Sequence, residues 1–394
     1  MHRIDGANPG PSDTFVEGDP QAGVPATQVT GPWLTAVQEE IAGVIEAAGL
    51  VLDKPDNGQL LAALDVFGRG SRPWRNVLTN SGFAICQRDL TYNLTAAQVQ
   101  FVTDRWKCSP GTGAGAATIS RTSNLPALQV VCLSKWALRL QQTAGGTVPY
   151  VEQRIEYVPT LENQAVVVSM FLELASISSG TTLTVATEFV QNFGTFGSPT
   201  VTTPGPSLVV SVGAGYTRVQ GTVVLPSVAA KTISGVDDYL ALRLKLPTGL
   251  TFDVKLTGVQ LEAGATASPR LSLPYAIEWE GCRRFFQTSY PNSPDESGNY
   301  PPGSVALAGA RRAWISGTVG YTLDGRLPTS MRIVPTVSWY SPNGSAAGNV
   351  DWEGADRAVT AQAAVGPDST GYPSVGSARA LSLLQGHYAA DAEL

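Results

Sequence analysis

From Trp74 to Pro274 the chain is cut into short apolar runs by turn residues, and that punctuation leaves little room for anything but strands. The runs ALQVVCLSKWALRL (127–140), QAVVVSMFLELASI (164–177), TTLTVATEFV (181–190), SLVVSVG (207–213), YTRVQGTVVLP (216–226), YLALRLKLP (239–247) and TFDVKLTGVQLEAG (251–264) have strand length and strand composition. Their number fits a jelly-roll-like β-sandwich over residues 74–275. The balance of 41 Gly and 27 Pro against only 15% charged residues points the same way, to a mainly β protein. No self-similar period appears, which disfavours solenoids. After Pro274 come YAIEWEGCRRFFQTSY (275–290), a loop rich in Pro, Gly, Ser and Asn, and then GSVALAG (303–309), AWISGTVGYT (313–322), TVSWYSP (336–342) and ALSLLQGHYAADAEL (380–394). These predict a second, smaller β domain over 276–394.

The N-terminal part reads differently. Gly6, Pro9, Gly10, Pro11, Gly18, Pro20, Gly23 and Pro25 forbid helix or central strand. Residues 1–30 are therefore expected to form an extended arm that orders only against a partner. Thr30 as cap, Pro32 in the first turn and Gly49 as left-handed stop predict a helix over 31–48. Along it Leu34, Val37, Ile41, Val44 and Ala48 recur at heptad spacing. Two heptads also suit a helix of a globular core. As a seam, however, β-branched Val37 and Val44 at its second position disfavour a dimer and lean toward a trimeric bundle or coiled coil. A second short helix, with Asp56 as cap and Leu60, Leu61 and Leu64 as its stripe, is predicted to stop before Gly68 and Gly70. The trimerisation segment then spans 31–66, and 67–73 reads as a hinge.

Several classes of chemistry are disfavoured. A net charge of −6 without a dense Lys/Arg run argues against nucleic acid or an anionic membrane as partner. No apolar run reaches the ~18 residues of a membrane span. The N-terminus lacks the apolar core of a signal peptide, so the chain is expected to stay in the cytosol until another route releases it. Cys86, Cys108, Cys132 and Cys282 show no CxxC spacing and read as free, packed thiols. His2 and His387 stand at opposite extremes of the chain, which disfavours a zinc site and a Ser-His-acid triad alike. GTGAGA (111–116) lacks the strand and helix that a phosphate cradle requires. Asp237 with Asp238, and Asp295 with Glu296, sit in turn-like sequence; the first pair would permit a Ca²⁺, but no catalytic residue, metal or cofactor is expected. Binding is the better reading. Aromatics stranded in polar loops suit the apolar faces of sugar rings, which makes Tyr290, Tyr300, Trp339, Tyr340, Trp352 and Tyr372 receptor-binding candidates. Trp74, Trp106, Trp136 and Trp314 look like core.

The motifs carry a resemblance. FVEGDPQAGVPATQVTGPWLTAVQEEIAGVIEAAGLVLDKPDNGQLLAAL (15–64) resembles the N-terminal segment of tailed-bacteriophage tail fibres. NVLTNSGFAICQRD (76–89), TDRWKC (103–108) and VQLEAG (259–264) resemble the opening and last strand of the carbohydrate-binding-module-like β-sandwich of such fibres, and EWEGCRRFF (278–286) and MRIVPTVSWY (331–340) resemble elements of the domain that follows it. The resemblance implies a non-enzymatic, homotrimeric receptor-binding protein. Phe15, Gly18, Asp19, Pro20 and Pro25 would anchor it to another tail or baseplate protein, and the distal β domain would meet a host glycan, pilus or outer-membrane receptor. It would assemble in the host cytoplasm and leave on the virion. A surface-glycan depolymerase and a purely structural baseplate component are the alternatives.

Overall fold

A computed structural model describes the chain apart from residues 1–2, 71–74, 89, 95–99, 110–115, 125–128, 130–131, 145–149, 271, 290–310, 317–318, 323–325, 343–346, 353–354, 376–381 and 394. Side chains are also outside the description at 65–66, 68–70, 100, 311–316, 319–322, 352, 361, 363–364, 372, 374–375 and 382–384. The chain divides into two compact units, Met1–Trp74 and Arg75–Leu394.

In the first unit, α1 spans Gly31–Ala47 and α2 spans Gln59–Gly70. Thr30 has the extended backbone of a cap, yet its hydroxyl makes no hydrogen bond. Gly49 does take the left-handed conformation, φ 78°, and its N–H donates to the Glu46 carbonyl at 2.8 Å. Asp56 receives the Gly58 N–H at 2.7 Å just ahead of α2. That helix runs on through Gly68 and Gly70, where the sequence predicted a stop; a nucleated helix loses only about 1 kcal/mol per glycine, too little to end it. Leu34 and Ile41 are exposed, 54% and 44%, while Val37, Val44 and Ala48 are half-buried, so the stripe on α1 is only partly covered within the single chain.

Residues 3–30 are not the extended arm expected. Asp19 and Val24 exchange both backbone hydrogen bonds, Thr27 N–H donates to Val16, and Gln28 N–H donates to Ala7. Gly18 and Gly23 make this fold-back possible by adopting φ of 74° and 68°, and the Asp19 carboxylate takes the N–H groups of Gln21 and Ala22 between them. Phe15 packs edge-on against Trp33 at 5.2 Å.

The second unit is mainly β and its sheets are antiparallel. Its strands are β1 (Thr91–Leu94), β2 (Gln100–Thr103), β3 (Trp106–Ser109), β4 (Ala116–Ser123), β5 (Trp136–Ala144), β6 (Tyr150–Glu156), β7 (Ala165–Ile177), β8 (Thr182–Asn192), β9 (Val201–Ser211), β10 (Thr217–Val224), β11 (Tyr239–Lys245) and β12 (Phe252–Ala263). They form two six-stranded sheets, ordered β1-β4-β5-β12-β7-β10 and β2-β3-β6-β11-β8-β9. Period-two alternation explains the pairing. Leu138, Leu140, Val166, Val168, Val254 and Leu256 from one sheet, and Val151, Leu183, Val185, Leu240, Leu242 and Leu244 from the other, share one buried core.

Past the sandwich, α3 (Tyr275–Arg283) leads into β13 (Phe286–Thr288), followed by β14 (Arg311–Ser316), β15 (Val319–Thr322), β16 (Thr336–Tyr340), β17 (Asn349–Trp352), β18 (Ala355–Gly366), β19 (Ser369–Val375) and β20 (Ser382–Asp391). The last strand, β20, organises this third sheet by pairing with β13, β14, β16 and β17. A small core of Met331, Trp339, Val350, Tyr388 and Ala390 lies against it.

Candidate functional site

The outward residues of the second six-stranded sheet carry a cluster of charge that its core-facing alternation makes unavoidable. In YVEQRIE and YLALRLK every second residue is committed to the core, so Tyr150, Glu152 and Arg154 on β6 and Tyr239, Arg243 and Lys245 on β11 all face out. Register then aligns Lys107, Glu152, Arg243 and Glu188 across β3, β6, β11 and β8.

Within that row Glu152 is 1% exposed. Its Oε1 receives Arg154 Nε at 2.7 Å, and its Oε2 receives Arg243 Nε at 2.9 Å and Nη2 at 2.6 Å. Burial alone would raise the Glu152 pKa, but the two guanidinium groups outweigh it and hold the carboxyl below the usual range. Glu188 takes Lys245 Nζ at 2.6 Å. Burial, then the neighbouring Arg154, lowers the pKa of Lys107. Arg154 stacks over the Tyr239 ring at 4.3 Å and Arg243 over Tyr150 at 4.5 Å. Between them lies Ala241, paired with Arg154 on one side and Val190 on the other, where a small side chain leaves the floor low. The result is a polar floor with a tyrosine at each end, half-buried rather than sealed. Such a surface offers fixed donors and acceptors for hydroxyl groups beside aromatic rings that suit apolar sugar faces.

A second polar cluster joins the sandwich to the third sheet. Asn80 N–H donates to Glu278, Asn80 Nδ2 to the carbonyls of Ile85 (2.8 Å) and Asp104 (2.9 Å), and Trp106 Nε1 to the Asn80 carbonyl at 3.0 Å. Gln87 Nε2 donates to Asp104 at 2.5 Å and to the Phe286 carbonyl at 2.7 Å. Arg88 lies within 3.3 Å of Asp391 and 3.6 Å of both Asp104 and the Phe286 ring, and Arg105 pairs with Glu393 at 2.5 Å while stacking on Phe285 at 3.3 Å. The motifs NSGF, CQR, TDRW and EGCRRFF thus meet in one joint.

The aromatic candidates are placed differently from the sequence expectation. Trp339 belongs to β16, not a loop; it is 3% exposed, edge-on to Tyr388 at 6.2 Å, so its ring is core and unavailable to a receptor. The polar flanks that suggested a loop are the outward residues of a short strand. Tyr340, beside it, is half-buried and packs with Phe286 and Ala389. Tyr290 and Tyr300 lie outside the described residues, as do the side chains of Trp352 on β17 and Tyr372 on β19. GTGAGA, Asp295 and Glu296 also fall outside the description, save Ala116, which opens β4. Trp106 and Trp136 are buried, as expected of core. Trp74 and the side chain of Trp314 are outside the description. All four cysteines are buried thiols. His387 is buried in β20, with Nδ1 3.3 Å from Ser289 Oγ. Asp238 takes the Val158 N–H at 2.8 Å, and Asp237 takes both the N–H and the hydroxyl of Thr195. Among the described residues no helix is long and apolar enough to cross a membrane. Sequence reading missed the β6–β11 face; the alternation of charge in YVEQRIE and YLALRLK was its signal.

No family model matches the chain. An uncharacterized protein, StfP, of Escherichia coli K12 is 40% identical over 73 residues, which is 16% of this chain; the chain spans about a third, 34%, of that relative's length. Among solved structures, a family 22 xylan-binding domain from Paenibacillus barcinonensis Xyn10C is 15% identical over 41% of this chain and 92% of its own, with a TM-score of 0.28. The enzymatically active domain of bacteriophage CBA120 tailspike protein 4 is 10% identical over 49% of this chain and 22% of its own, with a TM-score of 0.29. Scores this low carry neither a ligand nor a reaction across to this chain.

Proposed function

We propose that the chain is a host-attachment protein of the tail-fibre kind, a non-catalytic adhesin that trimerises through α1 and binds a surface glycan on the β6–β11–β8 face. The observation that carries the reading is that face: a half-open polar floor bounded by Tyr150 and Tyr239, with donors and acceptors held in fixed positions. The N-terminal motif and the exposed Leu34 and Ile41 of the α1 stripe support the fibre and its threefold assembly. Residues 3–30 would dock on another tail or baseplate protein as a preformed fold-back, and the virion would be its destination. The carboxylates of the face support binding rather than glycan cleavage. A general acid needs a raised pKa, whereas Glu152 is held down by two arginines and Glu188 is paired with Lys245.

Fluorescently labelled full-length chain is expected to elute at three times its 41.3 kDa and to bind host cells without releasing reducing sugar. The double variant Tyr150→Ala/Tyr239→Ala should keep the mass and melting temperature and lose at least ten-fold in cell binding, since trimeric presentation multiplies each weakened site. Unchanged cell binding by that variant would rule out the face, and a monomer in solution would rule out the seam.

A further inference from the structure

Away from that face, a cleft of about 330 Å³ opens where the loop after Asn80, the start of β5 and the segment before α3 converge. Arg270 forms part of its wall and is 9% exposed. Its Nε and Nη1 are buried without an acceptor, and among the described residues no carboxylate lies within ion-pairing distance of it. The site is nevertheless built for a guanidinium. A Cβ on Gly82 would come within 2.7 Å of Nη2, and one on Gly258, itself at φ 63°, within 2.7 Å of Nη1. Two glycines thus make room for a buried cation whose nearest carboxylate, Glu278, acts on it without forming an ion pair, an arrangement that costs stability unless a closer counter-charge arrives from outside.

The surroundings favour a negative visitor. Arg121, 6% exposed, stacks over Trp136 at 4.1 Å with its Nε and Nη2 lacking acceptors, and Lys135 Nζ stands 4.8 Å from the same ring. The opposing carboxylate is Glu278. Its oxygen already accepts the Asn80 N–H, and its pKa is raised, chiefly by burial. Arg270 and Lys135 in the wall therefore face one carboxylate, Glu278, with Arg121 behind the Trp136 ring. The wall also carries exposed apolar and aromatic surface beside Asn80, Ser134 and Ser272: Leu133 is 48% exposed and Tyr275 is 53% exposed. A bare inorganic ion would leave that apolar surface unused, and a neutral sugar would leave Arg270 uncompensated.

We infer that this cleft is a binding site for an acidic sugar, a pyranose unit whose carboxylate meets Arg270 and Lys135 while its ring lies against Tyr275 and Leu133. The site is separate from the β6–β11 face, so a polysaccharide containing uronic acid could be gripped at two places on one chain.

Calorimetric titration of the full-length chain with sodium glucuronate, glucose and inorganic phosphate tests the assignment. Glucuronate is expected to bind at least ten-fold more tightly than either of the others, and more weakly as salt rises. Arg270→Gln should abolish the heat and also the rise in melting temperature that glucuronate gives the wild-type chain. Lys135→Gln and Tyr275→Ala, at exposed positions, should each weaken binding several-fold with an unchanged melting temperature, so the result does not depend on the buried variant folding. The Tyr150→Ala/Tyr239→Ala variant should bind glucuronate normally, which keeps failure of this site distinct from failure of the face. Glucose binding as tightly as glucuronate, phosphate matching glucuronate, or Lys135→Gln and Tyr275→Ala both binding like wild type would each overturn the assignment.

Discussion

The joint around Arg88 and Arg105 and the face around Arg154 and Arg243 use the same chemical parts, arginines stacked on aromatic rings with carboxylates between them. They differ in what closes over them. At the joint, β13, β20 and the last residues of the chain bring Phe285, Phe286, Asp391 and Glu393 onto the sandwich, and Arg105 and Glu393 side chains are left 3% and 6% exposed. On the face, among the described residues, the carboxylate is buried but its partners are not: Glu152 is 1% exposed, while the Arg154 and Arg243 side chains keep 21% and 25% of their exposure. Sealed, such a cluster fastens two sheets together. Left half-open, with its partners already fixed, it becomes a preorganised surface that loses little freedom when a ligand settles on it.

The sharpest way to break this comparison is at the joint. Arg105→Ala leaves the buried Glu393 with Arg88 alone, 3.5 Å away, and removes the ring stacking on Phe285; losing a whole partner from a buried pair costs about 3–5 kcal/mol, which is the upper expectation here. The second unit should therefore melt several degrees lower. Arg105→Met combined with Glu393→Met should recover much of the loss, because neither charge then remains unpaired. Differential scanning calorimetry checks both, and a fall in melting temperature no larger than that of a surface substitution would mean that the joint is not held by this pair.

On the face the same kind of change should do less to the fold. Arg243→Ala removes two hydrogen bonds from Glu152 but leaves Arg154 in place and admits water, so a loss of about 1.5–3 kcal/mol, that of a charged hydrogen bond, is the upper expectation. Cell binding should suffer more than stability does. If Arg243→Ala destabilised the protein as much as Arg105→Ala, the face would be a fastening of the same kind as the joint, and its role as a surface would fall.

The two regions also differ in how much of them could be read from sequence. The sandwich strands follow from local alternation, and QAVVVSMFLELASI, YLALRLKLP and TFDVKLTGVQLEAG became β7, β11 and β12 nearly residue for residue. The face was available from the same signal, since a strand that buries Leu240, Leu242 and Leu244 must expose Arg243. The joint was not. Asn80 meets Glu278 across 198 positions and Arg88 meets Glu393 across 305, and no spacing rule connects residues that far apart. Its motifs were recognisable as words, but the chemistry they share, closing one domain on another, exists only in three dimensions. Trp339 failed for the opposite reason: in a strand of five residues, polar neighbours describe the outer side and hide the inner one.

The smallest expected effect concerns acid. Because Glu152 has a folded pKa below its unfolded value of about 4.3, its ion pairs contribute stability that is fully present above that value and is lost as pH falls through the lower folded pKa. Between neutral pH and pH 5 the contribution should not change; below about pH 4 it should decline. Glu152→Gln removes the titrating group while keeping its shape, so the variant should be less stable than wild type at pH 7, and the difference between the two should narrow under acid. Urea titrations of both proteins along a pH series measure that difference directly. A difference that stayed constant down to pH 3 would mean that the two arginines do not lower the Glu152 pKa, and the electrostatic support for reading the face as glycan-binding rather than glycan-cleaving would be lost.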